Sequence, residues 1–124
     1  MSDQRRAIYH FTPRAAYFAE PQRDYLPETF ARDGFIHCSE AEQLRDAAAR
    51  FAGGRSDLVV LTINPDKLRA PLVYEDLFGE GRAFPHLYGP LNRDAVVAVS
   101  DFCPDADGVY PAARGQLPIG ESDR

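Results

Sequence analysis

Gly34-Phe35-Ile36-His37-Cys38-Ser39-Glu40 is the stretch on which the fold turns. A glycine is followed by a short apolar run, and the run leads directly into a helical pattern. Phe35 to Cys38 therefore predicts a buried strand, and Ser39 predicts the start of a helix. Ser39 with Glu42 three residues on matches a capping box. Leu44, Ala47, Ala48 and Phe51 follow at i, i+3, i+4 and i+7, a single apolar stripe. Gly53-Gly54 closes the helix. The strand carries His37, an ionisable group in surroundings where charge is expensive to keep.

Working outward, the other two histidines sit in similar settings, Ile8-Tyr9-His10-Phe11-Thr12 and Phe84-Pro85-His86-Leu87-Tyr88. Ala7 to Phe11 predicts a first strand, with Thr12-Pro13 as helix cap and first helical residue. Residues 27–32 predict a helical turn closed by Asp33-Gly34. Leu58 to Ile63 is a nearly continuous β-branched run, the mark of a central strand covered on both faces. Leu72 to Leu77 predicts a fourth strand, and Asp94 to Phe102 a fifth. Gly79 to Arg82 reads as a polar loop, and Pro85 to Pro90 as a stiff, proline-bracketed one. The order β-α-(α)-β-α-β-β-β lacks the strict alternation and glycine-rich first turn of a doubly wound nucleotide fold. It predicts an α+β architecture.

The chain has 124 residues, the size of one domain, and can bury roughly two-thirds of its unfolded surface without staples. The domain is expected over residues 1–103, with residues 104–124, rich in Pro, Gly and Asp, as an irregular or disordered tail. Net charge is −5, which argues against sequence-independent nucleic-acid binding, a process that needs Lys and Arg to neutralise phosphates. Two cysteines, Cys38 and Cys103, contain no CxxC pair, so a cysteine-rich zinc site is excluded. No apolar run approaches the ~20 residues that span a bilayer, and no signal peptide is evident. A cytoplasmic location is the expectation.

His10 and Thr12 lie two apart and point the same way on a strand, so both can reach one polar ligand such as a ribose diol. The bland alternative is a core histidine with Thr12 as a cap. His37 and Ser39 repeat the spacing at a strand end that enters a helix N-terminus, where free N–H groups and the helix dipole favour an anion. Capping alone would equally explain Ser39. Glu75 beside Tyr74 is either an exposed edge carboxylate or one in a cleft. His86 and Tyr88 are presented by a rigid segment or plug the core. The histidines are ~25 to ~50 residues apart, without the close pairs of a metal signature, so no metal site is expected.

Together, Ile8 to Thr12, Gly34 to Ser39, Val73 to Glu75 and Phe84 to Leu91 resemble the DUF952 family of small bacterial and plant proteins of unknown function, over roughly residues 7 to 103. That family looks like a minimal ADP-ribosyltransferase fold, similar to the catalytic lobe of NAD-dependent RNA 2′-phosphotransferases. The resemblance implies an ADP-ribosyltransferase-like split mixed β-sheet with two or three helices. It implies a nucleotide partner, with NAD as substrate and no other cofactor. His10 and Thr12 match the motif that contacts a ribose of NAD, and His37-Cys38-Ser39 resembles the motif beside the nicotinamide. The last strand, Ala95 to Phe102, lacks the glutamate that many transferases carry there. Glu75 and His86 are the candidates for acid/base or charge stabilisation, with His10, Thr12, His37, Ser39 and Tyr88 as ligand-binding residues. The rival expectations are a non-catalytic binding module and, behind it, a His-based metal-dependent hydrolase.

Overall fold

The computed structural model describes residues 6–113. It is an α+β arrangement of two antiparallel sheets and three helices. The strands are β1 (Ile8–Pro13), β2 (Ile36–His37), β3 (Ser39–Glu40), β4 (Leu58–Ile63), β5 (Leu72–Glu75), β6 (Phe84–Leu87) and β7 (Val96–Phe102). The helices are α1 (Arg14–Phe18), α2 (Phe30–Asp33) and α3 (Ala41–Phe51). One sheet has the order β3-β1-β4-β7 and the other β2-β6-β5. Among the described residues all strand pairings are antiparallel, so two antiparallel sheets stand in place of the expected split mixed sheet.

The chain passes from one sheet to the other at Cys38. The Cys38 N–H donates to Pro85 O at 3.0 Å, extending the β2–β6 ladder. The next residue, Ser39, already pairs with Tyr9 in the larger sheet. The expected single strand from Phe35 to Cys38 is thus two strands of two residues, one in each sheet.

Val59, Leu61 and Ile63 on one face of β4 pack with Ile8 and with Ile36, Leu87 and Leu91 from the second sheet side. Leu58 and Tyr9 face the other way, into Leu44 and Ala48 of α3 and Ala52 just past its end, with Phe102 and Tyr110. Burial of each such large aliphatic side chain stabilises by about 1.5–3 kcal/mol. The continuous apolar run of β4 is explained by this two-sided cover. Residues 104–113 form no helix or strand, yet Tyr110 is buried and its hydroxyl donates to Arg55 O. The rest of the expected tail, 114–124, lies outside the described residues.

Four local expectations change. Thr12 does not cap α1: it is a buried β1 residue whose hydroxyl meets that of Tyr25 at 2.5 Å, and the cap position is Pro13. The cap of α3 is Glu40 rather than Ser39, one residue later, with Gln43 Oε1 accepting from Glu40 N–H. The segment read as a stiff loop, Pro85 to Pro90, begins inside β6, the central strand of its sheet. Phe51 does not continue the core stripe of Leu44, Ala47 and Ala48; it is 62% exposed. Among the described residues no helix is long and apolar enough to cross a membrane.

Candidate functional site

A cleft opens where the two sheets part. β1 pairs with β3 only through Ile8 and Tyr9. From His10 onward that edge of β1 has no paired strand among the described residues, because the facing chain turns toward the second sheet at Cys38. The gap is a cavity of about 430 Å³, toward the small end of the ~300–1,000 Å³ typical of ligand pockets. His10, His37, Ser39, Glu75 and His86 all line it, together with aromatic side chains that include Phe11 and Phe84.

His10 is nine-tenths buried. Its Nδ1 lies 2.6 Å from the backbone oxygen of His37. A carbonyl can only accept, so Nδ1 carries the proton and Nε2 holds a lone pair. Burial lowers the pKa of this ring to about 4, against the smaller opposing pull of the His37 carbonyl. The imidazole is therefore neutral near pH 7, and Nε2 is a buried acceptor without a hydrogen-bond partner among the described residues. An orphan of this kind costs about 1–3 kcal/mol unless a ligand or water donates to it.

His86 is buried in β6 and Glu75 lies on β5, two positions out of direct register and so on the same face, with Val73 opposite His86. The offset lets the side chains meet: His86 Nδ1–H donates to Glu75 Oε1 at 2.8 Å. Tyr88 O–H donates to the same oxygen at 2.7 Å. These two hydrogen bonds, Tyr88 first and His86 second, hold the Glu75 carboxyl below its ordinary range. Phe35 stacks on the His86 ring at 4.1 Å and 22°, which fixes the ring plane. Tyr88 itself does not line the cleft; it acts through its hydrogen bond to Glu75.

His37 is half-exposed at the rim, and its Nε2–H donates to Asp33 Oδ2 at 3.0 Å. Arg32 forks onto Asp33 at 2.8 and 3.1 Å, and that pair, then His37, draws the Asp33 carboxyl down to about 2. The His37 and His86 rings meet edge to face, 5.4 Å apart. Two carboxylate–imidazole pairs thus stand side by side, with His10 beyond them. Ser39 lines the cleft but does not open the helix, and the N-terminal turn of α3 is occupied by Glu40, Glu42 and Gln43. That turn offers a phosphate little. Thr12 is turned away to Tyr25 and does not line the cleft. Among the described residues no three His, Cys, Asp or Glu side chains form a metal-ligand group.

Sequence reasoning passes over Asp33, Phe35, Phe51 and Phe78, all close to the site. Asp33 reads as a helix stop before Gly34. Its only sequence signal is the i,i+4 spacing to His37, and this spacing runs through the left-handed turn at Gly34, φ 80°, where helical rules do not apply. Phe35 reads as core.

The profile of the DUF952 family, described as protein of unknown function, matches residues 11–99. The crystal structure of protein CC0527 from Caulobacter crescentus is 36% identical, with a TM-score of 0.75, over 85% of this chain and 93% of that one. The solution NMR structure of the same protein is 37% identical, with a TM-score of 0.71, over 83% and 90%. No curated protein matches the chain.

Proposed function

The chain belongs to the DUF952 family, proteins of unknown function, and we propose from its cleft that it binds a nucleotide of the NAD or ADP-ribose kind and acts at the ribose. The observation that carries this reading is the Glu75–His86 pair set in the wall of an aromatic-lined cleft. A carboxylate that fixes one nitrogen of an imidazole leaves the other to move a proton. His10, neutral and locked in one tautomer, offers Nε2 to a ligand hydroxyl.

The ribose is favoured over the phosphate on charge. Arg32 is already forked onto Asp33, and Asp33 and Glu75 both bring negative charge to the cleft. In transfer from NAD, the oxygen of an acceptor alcohol or water bonds to the anomeric carbon. The bond from that carbon to nicotinamide breaks, and nicotinamide leaves as a neutral molecule. The proton of the attacking oxygen passes to His86 Nε2 while Nδ1–H stays on Glu75.

A second reading, a binding module without chemistry, has one feature in its favour. Both His37 and His86 have carboxylate partners that would hold the rings in place whether or not anything reacts. Calorimetry with NAD and ADP-ribose, followed by chromatography for released nicotinamide, separates the two. Transfer predicts binding at millimolar concentration or tighter, nicotinamide release, and loss of release but not of binding in His86→Ala. Binding without release from the native protein supports the module. If neither nucleotide binds at millimolar concentration, both readings fail.

A further inference from the structure

Two phenylalanines stand where the core does not use them. Phe51, the last residue of α3, is 62% exposed, and Phe78, in the loop between β5 and β6, is 56% exposed. Both line the cleft. Their rings lie 6.1 Å apart, centroid to centroid, and within 21° of parallel. Leu77, 58% exposed, continues the same lip. A lone exposed apolar side chain is ordinary, but three on one edge of a cleft form a patch that water covers poorly and a ligand covers well.

The lip is held in place from both sides. Arg50, next to Phe51, forks onto Glu80 with both bonds at 3.1 Å. Arg82 reaches Asp46 at 2.5 Å, and Gln43 Nε2 donates to Ala83 O at 2.8 Å. Within the loop, the Asp76 carboxylate accepts from the N–H groups of Glu80 and Gly81. The strap that carries Phe78 is thus tied along the helix that carries Phe51. Each surface ion pair is worth little alone; in this arrangement they set the position of the loop.

We infer that Phe51 and Phe78 form a stacking subsite for a planar aromatic ring at one end of the ligand, with the ligand's polar end directed toward His10, Glu75 and His86. The two rings stack on each other and both are more than half exposed, so it is the flat faces turned away from the pair that suit a planar heterocycle better than a branched or saturated group. The cavity is small-molecule in size, and its lining combines these three apolar side chains with the polar groups of His10, Glu75 and His86. Aromatic stacking does not depend on charge, so the acidic cleft does not oppose it. The inference rests on the reading that the cleft takes a nucleotide-like small molecule, but not on any reaction there.

The test is a proton NMR titration with adenosine and nicotinamide as aromatic probes and free ribose as the non-aromatic control, at millimolar concentration. Upfield shifts of the probe ring protons are expected, with movement of the Phe51 and Phe78 ring resonances. Ribose leaves those resonances in place. Phe51→Ala and Phe78→Ala weaken the aromatic probes roughly tenfold or more, the usual scale for a lost stacking partner, while Cys103→Ser, at an exposed residue outside the cleft, retains the probe shifts. Phe51→Leu and Phe78→Leu, which keep apolar bulk without a flat face, weaken them as well. Phenylalanine resonances unmoved by either aromatic probe overturn the subsite, and so does equal binding to the alanine variants. Preferential binding of a dodecyl-chain detergent below its micelle concentration, undisplaced by the aromatic probes, overturns it in favour of a lipid contact. Failure of NAD to release nicotinamide strikes the transfer chemistry alone and leaves these shifts intact.

Discussion

Glu75 Oε1 accepts two hydrogen bonds at once, from His86 Nδ1–H at 2.8 Å and from Tyr88 O–H at 2.7 Å. The two donors come from the same short stretch of chain, one inside β6 and one just past it. Both converge on one oxygen, so the carboxylate orients the His86 ring while the Tyr88 hydroxyl holds the carboxylate.

This arrangement predicts the titration of Glu75. Its carboxyl is held below the ordinary 4.5, with Tyr88 as the larger cause. A depressed carboxylate adds stability that is present above its unfolded pKa and is lost as pH falls through the folded one. Carbon-detected NMR of the Glu75 carboxyl should show a midpoint below 4.5. Tyr88→Phe should raise that midpoint, and by more than His86→Ala does. A midpoint unmoved by Tyr88→Phe would mean that the hydroxyl does not hold the carboxylate.

His10 makes the opposite kind of group visible in the pH dependence of folding. Its ring titrates at about 4 in the folded protein and near 6.5 when free of the fold. Between these values the unfolded chain binds the extra proton, so stability falls as pH falls from about 6.5 to about 4. The shift corresponds to about 3 kcal/mol across that window. Denaturant unfolding of the native protein and of His10→Gln at several pH values checks it. The variant should lose most of the slope in this window. If its slope matches the native one, the imidazole is not the group being titrated.

How much of this is readable from the residues depends on whether the deciding contact is local. β4 is legible, because cover on both faces demands an unbroken apolar run from Leu58 to Ile63. The turn at Gly34 is legible from its chemistry. β6 is not: Pro85 argues against a central strand, and only pairing with Leu72–Glu75 on one side and Ile36–His37 on the other makes it one. Phe51 obeys the helical period, but α3 ends there and the ring turns to Phe78, a partner 27 residues away that no periodicity reveals. Five of the seven candidate site residues line one cleft, because strand ends and apolar-flanked histidines mark the junction of the sheets. Thr12 departs because its strand runs to Pro13, two residues further than the cap pattern suggests.

The two cysteines should differ sharply in reactivity. Both are free thiols; Cys38 is buried at the sheet crossing and Cys103 is exposed. Burial pushes the Cys38 thiol up to about 12, so it carries almost no thiolate at neutral pH, and the thiolate is the reactive form. A colorimetric thiol reagent at pH 8 should label one cysteine in the native protein and two in denaturant. Peptide mapping should place the native label on Cys103. Rapid native labelling of Cys38 would show that the crossing opens readily.

Gly89 supplies a prediction that joins packing to the site. A Cβ built on Gly89 would lie 2.7 Å from the Cβ of Ala70, and neither atom can rotate aside, since a Cβ is fixed to its backbone. Gly89→Ala must therefore push apart the segments around Ala70 and Gly89, an overpacking cost of about 1–3 kcal/mol. Tyr88 is the neighbouring residue, and its N–H donates to Pro71 O at 2.8 Å. The same displacement should draw the Tyr88 hydroxyl from Glu75. The variant should unfold at lower denaturant than the native protein, and its Glu75 midpoint should rise toward that of Tyr88→Phe. Ala70→Gly, combined with Gly89→Ala, removes the obstructing methyl and should restore the Glu75 midpoint. A double variant whose midpoint stays raised would show that the clash at Ala70 is not what moves Tyr88.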